Sequence, residues 1–280
     1  MASGRISGII LGVFFLSFSA SAQLEGWEQT FKDTRVINGH SVETNQRGGM
    51  KFIISHRFGP VNRGLYDLFG FDQSTIRIGL DYGITDRFTV GAGRSSMGKH
   101  YDGFAKYRFL VQQTDGAPLS ITGMSNITVN TLRWADPDRE NFFTSRLFYT
   151  FQVLLARKFS DDFSLQLMPT LVHRNLVLTA EIAHDVLSLG ASARFQITKH
   201  MAIQAEGFFV PDGQLADNFT HPVSIGIDIE TKGHQFQLSL SNALGMTEKI
   251  FITETVQDIT EGAVGLGFNI TRDFRMRGRK

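Results

Sequence analysis

Apolar and polar residues alternate with period two along most of the chain, and the alternation resumes immediately after short polar corners. Ile76, Ile78, Leu80, Tyr82 and Ile84 interleave with Thr75, Arg77, Gly79, Asp81 and Gly83; after Thr85-Asp86-Arg87 the series Phe88, Val90, Ala92 interleaves with Thr89, Gly91 and Gly93. Similar corners recur in "KFSDDFSLQL", "QITKHMAIQA", "IETKGHQFQL" and, less regularly, "VQQTDGAPLSI". The pattern predicts a meander of hairpins.

About twelve such segments follow Gly49, near 50–58, 73–84, 88–96, 103–112, 119–130, 146–158, 163–173, 185–197, 201–210, 222–230, 234–242 and 261–270. Most have the length of a tilted membrane strand. The connections alternate between short corners and longer loops, as on the two rims of an outer-membrane barrel, where the short turns are periplasmic. A sheet in lipid must close on itself to pair its backbone, and each strand then shows lipid on one face and lumen on the other. The predicted fold is all-β, a transmembrane antiparallel up-and-down barrel. Its outward set includes Ile76, Ile78, Leu80, Leu187, Leu189, Ile225, Ile227, Phe236, Leu238 and Leu240. The rival reading is a soluble sandwich or lipocalin-like barrel with the same apolar set inside.

Composition adds the compartment. "MASGRISGIILGVFFLSFSASAQ" has a basic start, an apolar run from Ile9 to Phe18 and a small-x-small site at Ala20-Ser21-Ala22, so residues 1–22 read as a cleaved signal peptide. Residues 23–48 are polar and irregular, a lead-in that lies in the periplasm or folds into a barrel mouth. The barrel is expected over 49–274 and a basic tail over 275–280. With 25 Phe, 28 Gly and no Cys, the chain has neither disulfides nor thiolate chemistry, and a net charge of +1 excludes a nucleic-acid footprint.

Little catalytic chemistry is visible. The eight histidines show no metal spacing, so no metal, cofactor or catalytic residue is expected. "GAGRSSMGK" lacks the phosphate-loop spacing and reads as a strand end with small lumen-facing residues. A membrane-embedded lipid-modifying enzyme, with His173 as its only candidate base, is a distant third reading. The charge map of the lumen face is more informative. Lys51, Arg57, Arg77, Lys106, Arg108 and Arg194 lie mainly on early strands, Glu206, Asp228 and Glu230 on late ones, and Asp81 breaks the rule. Walls of opposite sign would set a transverse field across a narrow pore for small polar or charged solutes. The alternative is a closed structural or partner-docking barrel whose lumen charges pair with each other, with the loops "RWADPDRENFFTSR" and "SNALGMTEKIFITETVQD" meeting a partner. Expected partners are outer-membrane lipid, the barrel-assembly machinery, and either a small solute or an unidentified protein.

At "TRVINGHSVET", "ISHRFGPVNRGLYDLFGFDQSTIRIGLDYGITDRFTVGAGRS" and "YDGFAKYRFL" the chain resembles an uncharacterised family, a domain of unknown function, of outer-membrane β-barrel proteins from Gram-negative bacteria. The resemblance covers nearly all of the mature chain, densest from Thr34 to Gln113. It implies a barrel and an outer-membrane address, and brings no activity and no functional residue. One departure is that such barrels commonly finish on an aromatic residue read by the assembly machinery, whereas this chain runs on through "DFRMRGRK".

Overall fold

A computed structural model of the chain describes residues 26–275 except 178, 180 and 181. The expected signal peptide and most of the basic tail lie outside the described residues. Twelve antiparallel strands form one closed barrel: β1 (Gly49–Pro60), β2 (Ser74–Thr85), β3 (Phe88–Ser95), β4 (Tyr101–Leu110), β5 (Ser120–Val129), β6 (Leu147–Lys158), β7 (Phe163–Arg174), β8 (Asp185–Thr198), β9 (Met201–Phe209), β10 (Val223–Thr231), β11 (His234–Ser241) and β12 (Gly265–Arg275). Each strand pairs with its sequence neighbours, and β1 pairs with β12 to close the sheet, Gly49 opposite Arg275 and Ile54 opposite Ile270. Closure leaves no unpaired edge, as a spanning sheet requires.

Burial is inverted relative to a soluble domain. Large apolar side chains such as Ile78, Leu187, Ile225 and Leu238 are exposed, while Arg77, Asp81, Lys106, Gln166, Gln204 and Asp228 are buried. The strands alternate accordingly: in β2, Ile76, Ile78, Leu80 and Tyr82 are outward, and Arg77, Gly79 and Asp81 inward. This excludes the soluble rival, in which the apolar set would fill the interior. Near the short-turn rim the outer surface carries aromatic residues, with Tyr107 and Phe109 ring centroids 5.0 Å apart and Phe159 and Phe163 5.9 Å apart. This matches the aromatic girdle of a membrane barrel.

Two expectations shift. The last strand runs over 265–275 rather than 261–270, so Phe274, expected to follow the last strand, lies within it and faces outward. The inner face is also not polar throughout. On β6 to β9 it carries Leu154, Ala156, Met168, Val172, Val186 and Phe208, all buried. The inner face of those strands interleaves this apolar patch with buried polar residues such as Gln152, Gln166 and Glu206, so period-two reading marks the polar face and hides the patch.

A cation on the outer face tests this orientation. Leu238→Arg, mid-strand on β11 and facing lipid, should destabilise the folded barrel by about 2–4 kcal/mol in vesicle-based chemical unfolding, the range for Arg near a bilayer midplane. An effect near zero would place Leu238 outside the hydrocarbon.

Candidate functional site: a filled lumen

From Thr30 to Glu43 the lead-in folds inside the barrel rather than outside it. Residues 30–43 are almost entirely buried. Thr34–Ser41 forms a tight hairpin: the Ser41 N–H donates to Thr34 O at 3.0 Å and the Val36 N–H donates to Gly39 O at 2.9 Å. The tip is the Ile37-Asn38 pair. Gly39 fits there because a Cβ would stand 3.1 Å from the Phe208 ring.

Irregular backbone at membrane depth must find partners other than water, and the inner wall supplies them. Glu206 on β9 accepts from three successive backbone N–H groups at the tip, those of Ile37 (3.3 Å), Asn38 (2.6 Å) and Gly39 (3.2 Å). From β1, Arg57 donates to Asn38 Oδ1 at 2.8 Å and to Ile37 O at 3.1 Å. Asn269 on β12 donates to the same Ile37 carbonyl at 2.8 Å. The tip is thus gripped by an anion and a cation from different walls.

The other candidate lumen residues meet the same segment or each other. Lys51 pairs with Asp33 at 2.8 Å and with Asp273 at 2.9 Å. Lys106 donates to Ser41 O (3.0 Å) and Thr34 O (3.3 Å), and Asp81 accepts from the Thr34 hydroxyl at 3.2 Å. Arg108 pairs with Glu43 at 2.9 Å. Arg77 forks onto Asp102 of β4, with Nε 3.0 Å from Oδ1. Gly93 gives that guanidinium room, since a Cβ would lie 2.3 Å from Nη2. Arg194 stands 3.9 Å from Asp228, which also accepts from Gln235 at 2.6 Å. Glu230 is at the short-turn mouth, half-exposed, 3.2 Å from Lys32. Sequence reasoning missed Asp33, Asn38, Glu43 and Asp102; of these only Asp102, which shares the parity of Lys106, carried a strand signal.

The long-loop rim fills the rest. The segment "SNALGMTEKIFITETVQD" turns inward and carries a short helix, α1 (Glu248–Thr253), all of whose residues are buried. Its apolar residues explain the inward turn. Phe251 packs on Phe208 with ring centroids 5.2 Å apart, and Ala243, Phe251 and Ile252 join Phe31, Val36, Ile37 and Val42 of the lead-in against the apolar β6–β9 wall. The two insertions touch where Arg35 Nη1 lies 3.4 Å from Glu248 Oε1. His40 Nε2 is 3.5 Å from the same oxygen.

His173 is on the outer surface of β7. Its Nδ1 is 2.7 Å from Asp185 Oδ1, and its Nε2 is 2.9 Å from Asn175 Oδ1. The Asn175 amide is oriented by its Nδ2, which donates to Thr144 O at 2.8 Å. Both ring nitrogens are thus engaged by neighbouring side chains, Asp185 and Asn175.

A closed, lipid-facing barrel with its own chain packed through the lumen defines a membrane β-barrel protein. The chain belongs to the family described as "Membrane bound beta barrel domain (DUF5777)", which matches residues 31–274 and so includes the whole lumen hairpin. Among solved structures it is similar to the NanC porin at 8% identity, covering 81% of this chain and 100% of that one with a TM-score of 0.50. It is also similar to the KdgM porin, at 8% identity over 81% and 99% of the two chains with a TM-score of 0.49. Outer membrane phospholipase A from Escherichia coli matches at 10% identity over 82% and 91%, with a TM-score of 0.45. At such identities these are likenesses of fold alone. Comparison with curated proteins gave no match.

The grip on the hairpin tip makes a direct prediction. Glu206→Ala leaves three buried N–H groups without their acceptor, a loss of about 1–3 kcal/mol. Trypsin cleavage after Arg35, which follows the population of released hairpin when reclosing is fast, should rise about ten- to hundredfold. Glu206→Gln, which keeps one acceptor oxygen, should lie between wild type and Glu206→Ala.

Proposed function

We propose that this protein is an outer-membrane barrel of a Gram-negative bacterium that is closed at rest, with residues 27–48 as a built-in plug and the 242–258 segment as a second fill from the opposite rim. The observation that carries this reading is the tip of the lead-in hairpin, bound by Glu206 on β9 and by Arg57 on β1. A chain held from both walls leaves the charges of the lumen neutralised and no transverse field for a solute to sample.

A passage for small polar or charged solutes is the second reading, and it applies to the released state. Removing the plug would strip Lys51 of Asp33, Lys106 of its two carbonyl acceptors and Arg108 of Glu43, while leaving Arg77 with Asp102. The exposed wall of β1 to β4 would then be cationic and would favour anions. Catalysis is not part of either reading.

Conductance in planar bilayers tests both. The intact mature protein should be silent. A variant lacking residues 27–45, with folding checked by heat-shifted gel mobility, should show steps that favour anions, enlarged when 243–257 is also shortened. In that background Arg108→Glu should reverse or abolish the preference, and Arg77→Glu should change it less. Steady conduction by the intact protein would overturn the closed reading; silence of the doubly shortened, folded barrel would overturn the passage.

A further inference from the structure

The loop between β1 and β2 is the most apolar exposed segment of the long-loop rim. Leu65 and Tyr66 are 78% and 93% exposed, and Leu68, Phe69 and Phe71 stand open beside them. The backbone actively presents two of these side chains: Leu68 (φ 46°) and Phe69 (φ 53°) are consecutive bulky residues in the left-handed region. That conformation is unfavourable for such side chains and persists only where the surroundings impose it.

The surroundings are the outer face of the barrel. Phe71 packs on Phe58 with ring centroids 4.8 Å apart, and Phe58 packs in turn near Phe268 at 6.4 Å and against His56 at 4.4 Å. Phe58, His56 and Phe268 all have the outward parity of β1 and β12, so the loop is folded down over the lipid side of the seam where the barrel closes. Three further bonds fix it there: the Gly59 N–H to Gln73 O at 3.0 Å, the Val61 N–H to Val264 O at 2.8 Å, and Asn62 Nδ2 to Glu261 O at 3.2 Å. Gly70 passes so close to β1 that a Cβ would lie 2.1 Å from Gly59 O.

We infer that residues 65–71 lie in the outer leaflet of the membrane, as an interfacial anchor over the β1–β12 seam whose occupant is lipid. Three observations select lipid over a protein partner. The apolar surface is continuous, through Phe71 and Phe58, with the strand face that already meets the bilayer. Arg63 and Asp67 pair with each other at 3.2 Å, which lowers the cost of bringing that turn toward the headgroups. Tyr66 has an amphipathic ring of the kind that favours the interface. The 131–146 loop of the same rim differs: Arg133, Asp136, Asp138, Arg139 and Glu140 interrupt its apolar residues, as suits a loop in water.

The chain has no cysteine, so single-cysteine variants report cleanly. Leu65→Cys, Tyr66→Cys and, as a reference on the same rim, Leu132→Cys are refolded into phosphatidylcholine vesicles and treated with a membrane-impermeant maleimide. Leu65→Cys and Tyr66→Cys should react at least tenfold more slowly than Leu132→Cys, and all three equally once denatured. Equal rates in vesicles would overturn the inference. Protection that appears only in native membranes, and not in pure lipid vesicles, would overturn lipid as the occupant in favour of a membrane-resident protein.

Discussion

An ionised side chain enclosed in a filled barrel has no water to solvate it, and the rest of this structure depends on how that cost is met. The inner wall carries Lys51, Arg57, Arg77, Lys106 and Arg108 on three early strands, with Asp81 among them on β2, and Glu206 and Asp228 on β9 and β10, all buried. Leaving any of these unpaired costs several kcal/mol. Arg77 finds Asp102 within the wall, but most of the others are paired by the lead-in: Asp33, Glu43, the Asn38 amide and the backbone of Thr34–Ser41. The wall and the plug are therefore one electrostatic unit. The hairpin has no other regular partner for its backbone, and the wall has few other partners for its charges.

The two insertions divide the filling between them by chemistry. The hairpin meets the polar wall with its backbone and polar side chains and turns Phe31, Val36, Ile37 and Val42 toward β6–β9. The 242–258 segment completes that apolar cluster from the long-loop rim, and Glu248 reaches Arg35 from it. Disturbance at either rim thus reaches the middle of the lumen through shared neighbours, a material connection between the two sides of the membrane. The apolar cluster favours a plug that stays, and the polar wall leaves a surface that water could fill if it went.

The barrel was legible in the chain because lipid and lumen impose opposite demands on alternate residues, which period two records directly. Strand order, the rim asymmetry and the inward parity of Arg77, Lys106, Gln166, Gln204 and Asp228 all followed from that rule. The end of β12 was misplaced because Arg272 interrupts the apolar series before Phe274, although the register with Met50 and Gly49 carries pairing through to Arg275. The filling was not legible. Residues 23–48 have no period, and a segment that pairs through backbone carbonyls and N–H groups leaves almost no mark on residue choice beyond Asn38-Gly39 at its turn. The inward fold of the 242–258 loop was obscured for a related reason: its apolar run, Ile250–Phe251–Ile252, gains meaning only against the apolar patch of β6–β9, which period-two reading hides.

The most direct measurement of the central claim, that the lumen is packed with the protein's own chain at rest, is amide hydrogen exchange of the intact protein in lipid bilayers. Peptides covering residues 30–43 should exchange over hours, alongside the strands, and so should those covering 246–253. Exchange of residues 30–43 within seconds, with the strands still protected, would mean that the lead-in spends its time outside the barrel and would contradict the account.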